Sequence, residues 1–140
     1  MKIRGILETG LYVADVRRAA EFYQRLFGFE VIFESDRLYA LNVAGRNVLL
    51  LFLRGGTTEP LQLPGGVIPP HDGSGEYHFA FSIDSADVDG WRKRLLSEGV
   101  AIEGEMQWPD GAVSLYFRDP DRNLAELMTP GWWKLGKPQS

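Results

Sequence analysis

The sequence contains two histidines, His71 and His78, and no cysteine. Metal or acid–base chemistry must therefore be built from imidazole and carboxylate groups, and thiolate nucleophiles, disulfides and Cys-ligated zinc are excluded. His78 lies in the run EYHFAFSI, where strand alternation puts Tyr77, Phe79, Phe81 and Ile83 on one face and His78, Ala80 and Ser82 on the other. A ring projecting among small side chains suggests the floor of an accessible cavity; the plainer alternative is a hydrogen-bonded core histidine. Subtracting 70 aligns Phe81 with Leu11, Ile83 with Val13 and His78 with Glu8, so two strands place a metal-capable side chain at one structural position.

The run DPDRNLAEL, residues 119–127, supplies a third group. Asp119-Pro120-Asp121 form a turn, and Arg122 and Asn123 lead into a strand whose Leu124, Glu126 and Met128 share one face. A carboxylate between two apolar neighbours is costly unless something positive stands beside it. A metal ion meets that need; an arginine such as Arg46 or Arg118 is the alternative. Aligning Arg46-Asn47 with Arg122-Asn123 sets Leu50 opposite Glu126, so the fourth position carries no ligand. One imidazole and two carboxylates suit Fe²⁺, Mn²⁺, Ni²⁺, Co²⁺ or Zn²⁺, at about 2.0–2.3 Å from the ion, and leave positions open for a substrate.

The elements that must position these groups repeat. An alternating strand over 6–13 is followed by a helix capped by Asp15, running to Phe27 and ended by Gly28. Strands at 29–34, 37–43 and 47–53 follow, the last two joined by a hairpin turn at Ala44-Gly45-Arg46. The pattern restarts with a strand at 77–83, a helix over 86–98 ended by Gly99, and strands at 100–103, 113–118 and 123–128. ADV recurs at 14–16 and 86–88. The order is βαβββ twice, separated by the Gly/Pro-rich, aperiodic segment 54–75, which reads as a linker or mobile loop. One such unit cannot close a core alone, whereas two packed copies can.

Composition sets the outer bounds. The 140 residues, 44% of them hydrophobic, suffice for one domain with a core. Fifteen basic residues against 19 acidic ones, with no run of Lys and Arg that offers a nucleic-acid footprint, argue against a nucleic-acid partner. No apolar stretch is long enough for a signal peptide or membrane span, so a soluble, cytoplasmic protein is expected. There is no dinucleotide fingerprint, Walker sequence or Gly-x-Ser-x-Gly.

Three stretches, LETGLYVADVRRAAEFYQRLFGFEV, YHFAFSIDSADVDGWRKRLLSEGV and LYFRDPDRNLAELMTP, resemble the vicinal-oxygen-chelate superfamily of glyoxalases, bleomycin-resistance proteins and extradiol dioxygenases. The resemblance implies an α+β fold of two βαβββ modules, about 5–53 and 76–130, within a single domain spanning 1–140. The modules would pack as a curved mixed sheet enclosing a cleft, in a homodimer whose metal site is drawn from one chain or shared between two. It implies metal ligands at Glu8, His78 and Glu126, with Glu8 or Glu126 able to act as general base and Tyr116 lining the cavity. Glu8 departs from the two-histidine set of extradiol dioxygenases, and Leu50 from the acidic ligand of glyoxalase I-like members. The function expected is a metal-dependent enzyme acting on a small oxygen-chelating substrate, by proton transfer (isomerase or lyase) or by dioxygenation. The alternative is a metal-free sequestering protein that holds a planar ligand against Trp91, Trp108, Trp132 or Trp133.

Overall fold

The computed structural model describes residues 1–136. They form two compact units, Ile3–Gly75 and Glu76 onward. The first contains β1 (Glu8–Val13), α1 (Val16–Phe27), β2 (Glu30–Glu34), β3 (Leu38–Val43) and β4 (Asn47–Leu53), then a small hairpin, β5 (Leu61–Leu63) and β6 (Gly66–Ile68). The second contains β7 (His78–Ser82), α2 (Val88–Ser97), β8 (Gly104–Gln107), β9 (Val113–Arg118) and β10 (Leu124–Met128). The sheet orders are β1-β4-β3-β2 and β7-β10-β9-β8. In each, the first and last strands are parallel and the other pairs antiparallel. The βαβββ repeat is thus a repeat of topology as well as sequence.

Alternation decides which way each sheet faces. In the first unit Leu11, Val13, Leu41, Leu49 and Leu51 are buried, and α1 covers β3 and β4 with Val16, Ala19, Ala20, Phe22, Tyr23 and Leu26. Burying each large apolar side chain contributes roughly 1.5–3 kcal/mol. The intervening residues Glu8, Gly10 and Tyr12, with Leu50 and Phe52 beside them, take the opposite face. In the second unit the buried residues include Val88, Leu95, Leu115, Phe117, Ala125 and Leu127.

Local chemistry fixes the element ends. The Asp15 carboxylate accepts the Arg18 N–H at 3.0 Å, capping α1. Gly28 ends the helix in the left-handed region, at φ 71°. Ala44 and Gly45, at φ 55° and 67°, make the β3–β4 turn of the type whose twist matches paired strands.

Two segments differ from expectation. The strand expected at 100–103 lies instead at Gly104–Gln107. Val100 is used to close α2, its N–H donating to the Leu95 carbonyl at 2.8 Å, while β8 has Met106 as its only large apolar residue and so carries no alternating signal. Residues 54–75 contain the β5–β6 hairpin, whose three-residue strands are too short to show a period.

That segment is stapled at its base. The His71 N–H donates to the Thr57 carbonyl at 2.9 Å, the Thr57 hydroxyl donates to the His71 carbonyl, and the Gly55 N–H donates to the Asp72 carboxylate at 3.1 Å. Hydrogen bonds from the Gly55 and Gly73 backbone hold the Asp72 pKa below its ordinary 3.8. A depressed carboxylate stabilises the folded form fully above its unfolded pKa, and that contribution is lost as pH falls through the folded value. Limited proteolysis is therefore expected to cut within 58–70 faster below about pH 4, and Asp72→Asn should remove this acid sensitivity. An unchanged profile in that variant counts against the staple. Among the described residues, no helix is long and apolar enough to cross a membrane.

Candidate metal centre

In the second unit β10 lies between β7 and β9, so three strands supply one face. The registers align Ala80, Glu126, Tyr116 and Gly104 in one row across β7, β10, β9 and β8, with Ser82, Met128, Ser114 and Met106 in the next. His78 opens β7 on the same face. Its Nε2 stands 3.2 Å from Glu126 Oε2. Its Nδ1 lies 2.8 Å from the Leu124 carbonyl oxygen, an acceptor only, so Nδ1 is the donor in that bond and Nε2 is the nitrogen turned toward Glu126. This backbone bond is the kind that orients a ligating histidine.

Glu126 is 5% exposed; its ion-pair contact is with His78, and among the described residues no arginine is paired with it. Arg118, one of the expected alternatives, is held in a two-pronged pair by Glu103 at 2.8 and 3.1 Å and reaches Glu76 at 3.5 Å. A carboxylate so placed needs a positive partner. The donor chemistry around it, an imidazole nitrogen and a carboxylate oxygen side by side, fits a divalent cation.

The DPDRN turn sets this geometry through contacts that spacing alone did not reveal. Asp119, 4% exposed, accepts the N–H groups of Asp121 at 2.9 Å and Asn123 at 2.8 Å on one oxygen, and the Asn123 side-chain amide at 2.9 Å on the other. Arg122 takes φ 65° to complete the reversal. The fully buried Asn123 then accepts the Tyr77 N–H at 3.0 Å. This fixes the start of β7 beside the start of β10, and with it His78 beside Glu126. The signal in the sequence was an Asp and an Asn four residues apart around a tight turn.

Tyr116 borders Glu126, and its phenol pKa is raised, first by burial and further by the Glu126 charge. It stays protonated at neutral pH and can donate a hydrogen bond. Trp108 Nε1–H donates to the Ser114 hydroxyl at 2.9 Å, and the Trp108 ring stacks on Trp132 at 4.9 Å. An aromatic wall thus stands at the Ser114 end of this face. Trp91, on α2, is half-buried and Trp133 is exposed.

Glu8 stands on the first unit, exposed, at the position in β1 that His78 takes in β7. Leu50 pairs with Gly10 as Glu126 pairs with Ala80, so the first module's counterpart of Glu126 is an aliphatic side chain. The structure brings His78 and Glu126 together. Among the described residues, no group of three or more His, Asp or Glu side chains is gathered to hold one ion.

The topology and the pairing of His78 with Glu126 point to a family, and comparison identifies it. The chain belongs to the glyoxalase/bleomycin resistance protein/dioxygenase superfamily, whose model matches residues 5–127. Its fold is similar to that of a solved lactoylglutathione lyase from Agrobacterium tumefaciens, with a TM-score of 0.86 and 32% identity, covering 95% of this chain and 98% of that one. It is 32% identical over 120 residues to a catechol-2,3-dioxygenase of Bacillus subtilis, spanning 84% of this chain but only 38% of that protein's length. It is 30% identical over 129 residues to the metallothiol transferase FosB of Shouchella clausii, covering 91% of this chain and 81% of the relative.

Proposed function

We propose that the protein is a metal-dependent enzyme acting on a small substrate that chelates a divalent ion through adjacent oxygens. Glu8, His78 and Glu126 are the ligands in this reading. The observation that carries it is the buried Glu126 carboxylate facing an imidazole whose other nitrogen is already tied to backbone. When bound, Fe²⁺, Mn²⁺, Ni²⁺, Co²⁺ or Zn²⁺ supplies the charge against which an enolate or alkoxide is stabilised. Glu8 or Glu126 acts as general base for proton transfer. Tyr116 donates to a substrate oxygen, and Trp108 walls the far end. The relatives' names, a lyase, a dioxygenase and a metallothiol transferase, support chemistry of this kind.

The protein functions as a soluble cytoplasmic homodimer in this reading, with Glu8 from one chain and His78 and Glu126 from the other, or with all three from one chain. The test is metal analysis of the purified protein, followed by metal reconstitution and trial with catechol, lactoylglutathione, and an epoxide with a thiol. One equivalent of divalent metal per chain is expected, released on acidification as protons compete for the ligands. Mixing Glu8→Gln chains with His78→Ala chains then tells the two assemblies apart. A site shared between chains regains metal in the mixed dimer, and a site within one chain does not. The stacked Trp108–Trp132 pair favours a second reading, metal-free sequestration of a planar ligand. Absence of metal uptake after reconstitution would select it.

A further inference from the structure

Metal binding leaves unused the α1 side of the first sheet, the face turned away from Glu8. α1 rests on β3 and β4, while β2 forms an edge of the sheet. An open groove of about 1220 Å³ lies there, lined by Arg17, Glu21 and Gln24 from α1 and by Val31 and Glu34 from β2. Glu34 pairs with Tyr39 across β2 and β3, and Tyr39 with the buried Leu51, which fixes both on the α1 side. Four carboxylates, those of Asp15, Glu21, Glu34 and Asp36, border the groove against the guanidinium of Arg17, itself paired with Glu21 at 3.1 Å. Among the described residues, no cation is paired with Glu34 or Asp36. Glu34 instead accepts the Tyr39 hydroxyl, and burial together with that carboxylate raises the phenol pKa. These acids do not converge. Asp15 and Glu21 stand six residues apart at α1, ~9 Å along its axis, and the described residues gather no group of three or more acidic or histidine side chains to hold one ion. Interleaved with them are Val31, Leu53 and the Tyr39 ring, with Ile32 and Phe33 exposed on β2 at 50% and 54%.

We propose that this groove is a binding site for a linear organic polycation, whose methylene-spaced ammonium groups meet separate carboxylates while its chain lies on Val31, Tyr39 and Leu53. Charge selects the sign of the ligand, since an anion entering past four carboxylates is repelled. Spacing and lining select its shape. A compact hydrated ion satisfies one carboxylate at a time and leaves the apolar residues in water, whereas a chain between two ammonium groups covers them. Tyr39 adds a ring face to which an ammonium group is attracted. The proposal is independent of the metal reading, because every residue it uses belongs to the first unit and to the face opposite Glu8.

The test is calorimetric titration of the full-length protein at low ionic strength with two dications of equal charge, diaminooctane and diaminobutane. Diaminooctane is expected to bind at least about tenfold more tightly, because its added methylenes leave water against the apolar lining. Glu34→Gln combined with Asp36→Asn should weaken it about five- to twentyfold, each exposed charge pair contributing about two- to fivefold. Gln24→Lys, which sets a cation inside the groove, should weaken it comparably. Glu59→Gln removes the same charge from outside the groove and should leave the affinity unchanged. Equal affinities for the two diamines, or an equal loss in Glu59→Gln, would show attraction to net charge alone and overturn the proposal. Unchanged binding in the Glu34→Gln/Asp36→Asn variant overturns it as well.

Discussion

Replacing His78 with alanine is expected to lower divalent-metal affinity more than about a hundredfold, beyond the usual effect of losing an outer-shell contact. The variant loses the Nε2 donor and leaves Glu126, 5% exposed, without its imidazole neighbour. His71→Ala supplies the control. Its imidazole sits on the first unit against Tyr12 and Phe52, so that variant should keep its metal. Inductively coupled plasma analysis of both proteins after the same reconstitution makes the comparison. Full metal content in His78→Ala would end the catalytic reading, leaving sequestration of a planar ligand in its place.

Asn123→Ala should cost about 2–4 kcal/mol of stability, because it strips partners from one buried and one part-buried group at once. The Asp119 carboxylate loses the side-chain amide, and the Tyr77 N–H loses its acceptor. The same change should weaken metal binding about ten- to a hundredfold, although Asn123 is not one of the proposed ligands, because the register of β7 on β10 loosens. Urea denaturation measures the first effect and a chelator competition titration the second. A variant within about 0.5 kcal/mol of wild type would show that the turn is held by other means.

The legible parts of the fold were those governed by period and punctuation. Asp15, Gly28, the Ala44-Gly45 turn and the alternating runs of β1, β4 and β7 each announce a local conformation that depends on few neighbours. The repeat offset of 70 residues matches a structural equivalence, since β1 and β7 occupy the same place in matching sheets. The displaced β8 was not legible because its pairing to β9 is set by the neighbouring strand, while the apolar residues before it serve the end of α2. In the site, spacing marked His78 and Glu126 but could not show that Nδ1 is taken by the Leu124 carbonyl, or that Arg118 is engaged by Glu103. Those facts depend on register across strands. The Tyr12–His71 contact was equally out of reach, because its two members lie 59 residues apart and one belongs to an aperiodic segment.

The parallel pairing of β7 with β10 also bears on the order in which the second unit comes together. The bonds joining these strands connect residues 46 apart, from Tyr77 to Asn123 and from His78 to Leu124. The antiparallel contacts of β9 with its neighbours are far more local in the chain. Closing a long loop costs more chain entropy than closing a short hairpin, and non-local pairing is correspondingly slow. His78 and Glu126 therefore meet at the least local seam of that sheet, the one expected to close after its hairpins. An ion held by both of them would act as a clasp on that seam and not as the nucleus of the unit.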